Sequence, residues 1–316
     1  MFFVAALALA AAGVAAVAVV SSGDGKSAAP RSEPKPRAGR PPLSLALGFR
    51  TDRQARALAR AARLYAEGRV SAARGIFDGY RSLEARIGAA FARWPDTSLD
   101  RLEQLANLYP KSALVQLHLG LARLWAGRGD PITAWRDAVD AEPDTPYAVL
   151  ASNLLHPNLP RGLPTFIPSF PAPAAVTALP ASRQLGALRR RAERGSARAW
   201  ILYGVGLQRV GRPVSASRAF RRAAALAPSD VEARVADAVG RFDKDAPERA
   251  FGRLGPLTRT FPDEATVRFH LGVLLLWTGQ VQAAERQLRI ASRTQPASPL
   301  AHEATRYLET IRRARS

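Results

Sequence analysis

The residue types that could carry out chemistry are few, and their spacing is unhelpful. The sequence has no cysteine, which rules out thiolate zinc sites, iron–sulfur clusters, disulfides and a cysteine nucleophile. The histidines are His118, His156, His270 and His302. A helical metal site needs two imidazoles one turn apart on the same face. No histidine pair has that spacing, and His302-Glu303 lacks the second histidine of a zinc-protease motif. Gly204-Val205-Gly206 could begin a phosphate-binding turn, but it lies inside a helical run with no strand before it, so the context such a turn requires is missing. No Ser/His/Asp grouping can be read along the chain. The expectation is therefore a protein without enzymatic activity, with no cofactor and no metal.

Charge offers a second possible chemistry. Lys+Arg number 46 against 26 Asp+Glu, a formal net charge of +20, which favours anionic partners such as membrane surfaces, nucleic acid or acidic proteins. Nearly all the cations are arginine, and alanine is abundant, a bias that GC-rich coding produces without selection for binding. The runs Arg189-Arg190-Arg191, Arg221-Arg222 and Arg312-Arg313 have few aromatics between them. Solvated helix faces explain them more economically than phosphate contacts do. Nucleic acid is thus not the favoured partner, although a basic array associating with it remains an alternative.

The elements that position these residues differ along the chain. Residues 1–20, MFFVAALALAAAGVAAVAVV, carry no charge, and twenty helical residues span ~30 Å, the thickness of a bilayer core. They read as a transmembrane anchor or a signal peptide. Ten cations lie between Lys26 and Arg63 and none lies before the segment. The positive-inside rule then favours a single-pass membrane protein with its bulk on the cytoplasmic side. The alternative is an extracytoplasmic protein released after cleavage near Ala16-Val17-Ala18. Residues 21–48, rich in Pro, Ser, Gly and cations, read as a flexible, solvated linker.

Beyond Thr51 the apolar spacing is helical nearly throughout. His118-Leu119-Gly120 with Leu124-Trp125 and Gly127 recurs 152 residues later as His270-Leu271-Gly272 with Leu276-Trp277 and Gly279. His118 and His270 therefore read as repeat-packing residues. Prolines form a second ladder: Pro228, Pro262 and Pro296 are 34 residues apart, and Pro110 and Pro143 are 33 apart. At these residues the sequence resembles the tetratricopeptide repeat (TPR) family, whose unit is a 34-residue helical hairpin. The best copy, 197–230, carries Trp200, Gly204, Gly211, Ala216, Phe220, Ala223 and Pro228. The copy at 265–298 carries Leu271, Gly272, Gly279, Ala284, Ala291 and Pro296. The copy at 231–264 is degenerate beyond Ala238, Ala250 and Pro262, the copy at 113–144 keeps Leu119, Gly120, Gly127 and Pro143 but is one residue short, and 51–110 reads as two irregular hairpins. The resemblance implies an all-α fold: a right-handed α-solenoid of TPR-like hairpins over 49–316, capped by a helix at 299–316; the uncharged run at 1–20 adds one transmembrane helix before it.

The resemblance also implies where a partner would sit, which is the concave groove lined by the first helix of each hairpin. The residues it marks are Leu117, Leu121, Leu124 and Trp125, then Arg198, Ile201, Val205, Gln208 and Arg209, and Phe242. It makes the protein a membrane-anchored scaffold or adaptor that takes a partner's peptide or helix in that groove. The outer copies are too apolar to face water uncovered. The capping helix is expected to cover Phe269, Leu276 and Trp277, and another part of the chain to cover Leu114 to Trp125. One segment breaks the helical rhythm. Residues 156–173, HPNLPRGLPTFIPSFPAP, are too rich in proline for a helix, yet Phe166, Ile167 and Phe170 do not suit a free linker. The expectation is a Pro-rich insertion that packs into the concave channel, with a partner-docking arm as its rival.

Overall fold

Helix starts follow directly from side-chain chemistry. Asp52, Ser82, Asp130, Thr145, Ser196, Asp230 and Ser298 each stand immediately before a helix and accept a backbone N–H from its first turn. These are donors that no helical carbonyl can reach. Pro131, Pro146, Pro213 and Pro299 open helices, where a missing N–H costs nothing. The proline ladder marks the ends: Pro110, Pro143, Pro228, Pro262 and Pro296 each fall two residues past the last helical residue.

A computed structural model describes residues 35–48 and 50–314. The anchor or signal peptide expected at 1–20 lies outside the described residues. Among those described, no helix is long and apolar enough to cross a membrane. The described residues form sixteen helices and no strand, all within one unit, Glu33–Ser316.

The helices build the same plan twice. Array 1 pairs α1 (Arg53–Ala66) with α2 (Val70–Asp78), α3 (Leu83–Phe91) with α4 (Ser98–Leu108), and α5 (Ala113–Ala126) with α6 (Pro131–Ala141). The single helix α7 (Pro146–Leu155) closes it. The short α8 (Ala174–Thr177) and α9 (Ala181–Glu193) follow, with α9 packed on the next helix. Array 2 pairs α10 (Ala197–Arg209) with α11 (Pro213–Leu226), α12 (Val231–Val239) with α13 (Glu248–Thr260), and α14 (Ala265–Trp277) with α15 (Val281–Thr294). Helix α16 (Pro299–Arg313) closes it. In each array the first helix of a hairpin also packs on the first helix of the next, through to the closing helix. The first helices thus form one continuous wall and the second helices an outer layer, which is an α-solenoid of stacked hairpins.

Each array has its own apolar core. One is built around Phe77, Phe91, Leu102 and Leu117, the other around Phe220, Leu254, Phe269 and Leu274. Close approach within a hairpin depends on glycine. A methyl group at Gly272 would lie 2.8 Å from Leu288 of the same hairpin, whereas one at Gly88 on α3 would lie 2.5 Å from the Phe77 ring on α2 of the preceding hairpin. Gly120 and Gly204 meet Trp135 and Phe220 still more closely. These contacts account for glycine recurring at that place in the repeats.

The structure corrects one boundary. Residues 35–47, read from sequence as the end of a solvated linker, are extended chain packed against array 1. Pro41 is buried, and Leu43, Leu45 and Leu47 are half-buried against the core. Their alternating spacing suits an extended strand covered on one side.

Candidate peptide-binding channels

An extended segment that lies on helices faces a hydrogen-bonding problem. The carbonyls within a helix are already committed to its own amides, yet every buried N–H of the segment needs an acceptor. The wall helices solve this with side chains.

Strap 1 (residues 35–47) lies on the inner wall of array 1. Arg37 donates its backbone N–H to the Trp125 carbonyl at 2.9 Å, and its guanidinium sits 5.2 Å from the Trp125 ring centre. Ser44 N–H donates to His118 Nε2 at 3.2 Å, and Ala46 N–H donates to the Tyr147 hydroxyl at 3.1 Å. In the other direction, the Trp94 indole donates to the Gly39 carbonyl at 3.0 Å and the Tyr65 hydroxyl to the Pro41 carbonyl at 2.8 Å.

Strap 2 (residues 157–171) is the Pro-rich insertion, and it lies on the inner wall of array 2. Gly162 N–H donates to Asn153 Oδ1 at 2.8 Å, Phe166 N–H to Gln208 Oε1 at 3.0 Å, and Ile167 N–H to His270 Nε2 at 3.0 Å. The Glu232 carboxylate takes both the backbone N–H and the hydroxyl of Ser169, at 2.5 and 2.8 Å. Lys244 holds the start of the strap by donating to Asn153 Oδ1 at 2.7 Å and to the Pro160 carbonyl at 3.0 Å. The Phe166 ring stacks on His270, 4.6 Å between centres and 13° between planes, and meets Phe220 edge-on at 5.7 Å.

The two straps match position by position. At a constant offset of 123 residues Gly39 pairs with Gly162, Pro41 with Pro164, Leu43 with Phe166, Ser44 with Ile167, Ala46 with Ser169 and Leu47 with Phe170. Both glycines have positive φ, 80° and 88°, a conformation in which any other residue type is strained. Both prolines are buried, and both residues that follow them are exposed. The straps run the same way. Strap 1 goes from the last turn of α5 at Trp125 to the first turn of α7 at Tyr147, and strap 2 goes from Gln208 near the end of α10 to Glu232 and Arg198 in the first turns of α12 and α10.

His118 and His270 are the shared feature. Each is fully enclosed, at 0% and 1% exposure. Each Nδ1 lies 2.7 Å from the carbonyl four residues earlier, Leu114 or Thr266. Nδ1 must therefore carry the proton, leaving Nε2 bare to accept the strap. Burial lowers both pKa values to about 4, so both rings are neutral at physiological pH. Burial raises the Glu232 carboxyl against the opposing bonds from Ser169, and raises Tyr147 to about 12. Burial also lowers Lys244, to about 8.

The residues marked from sequence are distributed as follows. Leu117, Leu121, Ile201, Val205 and Phe242 are buried in the two cores, while Leu124 and Trp125 are half-buried beside them. Trp125 and Gln208 bond a strap directly, and the exposed Arg198 places its guanidinium 5.1 Å from the Phe170 ring centre. Arg209 is on an exposed face at the end of α10. Phe166, Ile167 and Phe170 all belong to strap 2.

The cover of the inner wall at α14 is shared between the capping helix and the region of strap 2. Tyr307 of α16 packs on Phe269 at 5.7 Å. Trp277 is met by Phe242 at 6.1 Å, by the Lys244 ammonium at 6.0 Å and by Gly162. The capping helix thus supplies a ring contact to Phe269, while residues beside strap 2 supply those to Trp277.

Sequence reasoning marks Glu232 as a residue of the concave face, but it misses Tyr147, Asn153 and Lys244, and it gives His118 and His270 a packing role only. The repeated Gly-x-Pro-x-(Leu/Phe) pattern marks the two straps, but no comparable signal marks the wall residues that bond them.

No protein-family model matches this chain, and no curated protein matches it. Among solved structures, similarity is found to YrrB, described as a TPR protein with an unusual peptide-binding site. Identity is 14% and the TM-score 0.33, over 66% of this chain and 99% of that one. Similarity is also found to yeast Tom70, at 14% identity and TM-score 0.31, over 82% of this chain and 48% of that one. The chain thus spans about half the length of Tom70. At identities this low the functional reading rests on the chain's own residues.

Proposed function

We propose that this protein is a non-catalytic, tetratricopeptide-type scaffold whose right-handed superhelical arrays hold extended protein segments in their concave channels. The observation that carries the reading is the twofold occurrence of one arrangement: a wall of helices supplying side-chain acceptors, above all His118 and His270, to the backbone of an extended strand. A surface that reads backbone N–H groups and buries alternate side chains is suited to peptide and to little else.

In the same reading residues 1–20 anchor the scaffold in a membrane and the arrays lie on the cytoplasmic side. The uncharged run and the cations that follow it support this. The test has two arms. Panning a peptide library against the full chain should enrich segments whose binding is lost in Trp125→Ala or Phe242→Ala. Enrichment insensitive to both would overturn the scaffold reading. Protease added to sealed cells should leave the arrays intact, and their digestion would place them on the other side.

A further inference from the structure

We infer that the channel of array 1 is a recognition site for a partner segment of the pattern Gly-x-Pro-x-(Leu/Phe)-x-x-x-(Leu/Phe), for which strap 1 is the built-in competitor. This rests on the scaffold reading and names the chemistry of its partner.

Two occupants seated in two channels of one chain amount to two independent readings of what such a channel accepts. They share little beyond the pattern, and each position of it has a physical reason. Gly39 and Gly162 adopt positive φ at the channel mouth, where a side chain would be strained. Pro41 and Pro164 are buried, and proline is the residue that can be buried there without an N–H to satisfy. Leu43 and Phe166 press into the wall. The next residue's N–H meets a buried histidine, and the N–H two further on meets Tyr147 or Glu232. Pro42 and Thr165 are exposed, so the channel leaves that position unread; at the Ala46/Ser169 position only array 2 reads a side chain, through Glu232 and the Ser169 hydroxyl.

Exchange is favoured in array 1 over array 2. Strap 2 runs directly between α7 and α8, is pinned by Lys244, and buries Phe166 to 1% exposure between His270 and Phe220. In strap 1 Pro41 alone is fully buried, and Leu43, Leu45 and Leu47 are half-buried. A partner segment must outcompete a tethered strap, whose effective concentration is on the order of millimolar. Weakening the strap should therefore reveal the site.

Ser44→Pro does this cleanly. It removes the N–H that donates to His118, and proline there asks Leu43 for the extended backbone it already has. The probes are labelled peptides with the sequences of residues 35–48 and 158–171, plus a copy of the first carrying Gly39→Val and Leu43→Ser. Fluorescence anisotropy is read on the full-length chain in detergent, with Leu43→Ser as a second weakened variant should Ser44→Pro fail to fold.

Both strap peptides should bind the weakened chain at least tenfold more tightly than the unaltered chain, and the doubly altered peptide should lose at least tenfold. Equal binding of the altered peptide would overturn the pattern and leave the scaffold reading standing. So would silence from both strap peptides while library-selected segments still bind. Failure of strap peptides and library segments alike, on folded variants, would overturn both. A weakened chain that dimerises without peptide would assign the channel to the strap of a second copy, overturning the partner reading.

Discussion

The Phe166 ring lies nearly parallel to the His270 imidazole at 4.6 Å, so one histidine both stacks on the strap and accepts the N–H of its next residue. That double hold makes Phe166 the main anchor of strap 2. Phe166→Ala should cost ~3–5 kcal/mol, the usual range for removing a buried phenylalanine. Deleting residues 157–171 should also lower the melting temperature. An unchanged melting point in either variant would show that the strap contributes nothing to the fold.

The buried histidines set a pH dependence whose sign follows from their depressed values. Above pH 6.5 folded and unfolded states are both neutral at these positions, and their contribution to stability is fully present. Between 6.5 and about 4 the unfolded chain takes up protons that the folded chain refuses. Stability should fall by about 1.4 kcal/mol per pH unit for each histidine. Glu232, raised by burial, acts in the opposite direction, but it is one group against two. Urea unfolding at pH 7.5 and pH 5 should show the loss, and His118→Gln with His270→Gln should flatten it. An unflattened slope would place the acid sensitivity elsewhere.

Glycine positions divide sharply by what surrounds them. A methyl group at Gly120 would collide with the Trp135 indole and lie 3.0 Å from the Pro131 carbonyl, whereas one at Gly75 meets nothing within 4 Å. Gly120→Ala should therefore destabilise by ~1–3 kcal/mol. Gly75→Ala, inside α2, should be neutral or stabilise by up to about 1 kcal/mol. Chemical denaturation of the two variants side by side checks this, and equal effects would refute it.

Lys244 offers a local test of how strap 2 is held. Its ammonium is buried with the Asn153 amide oxygen and the Pro160 carbonyl as acceptors, and the exposed Arg161 follows immediately. Trypsin should cut slowly after Arg161 in the native chain and several-fold faster in Lys244→Ala, read by mass spectrometry of the fragments. Equal rates would mean that the strap is held by its other contacts alone.

Much of the helical body was legible from residues alone. N-caps, opening prolines and the proline ladder mark helix ends, and glycine opposite a large side chain marks close approach within a hairpin. These are local signals, carried by residues within a few positions of one another or within one hairpin. The capped closing helix and the non-helical character of residues 156–173 were legible for the same reason.

What the sequence by itself determined is therefore a set of helices, their pairing into hairpins and the need to cover an apolar inner wall. Only the tertiary structure decided that residues 35–47 are a strap and not a tether, that two straps share one register, and that His118 and His270 read their backbones. An extended segment has no helical period to announce it. Its hydrogen bonds go to side chains 74 and 101 residues away in one channel and as many as 103 in the other, so its conformation is fixed by acceptors that only the folded wall brings within reach.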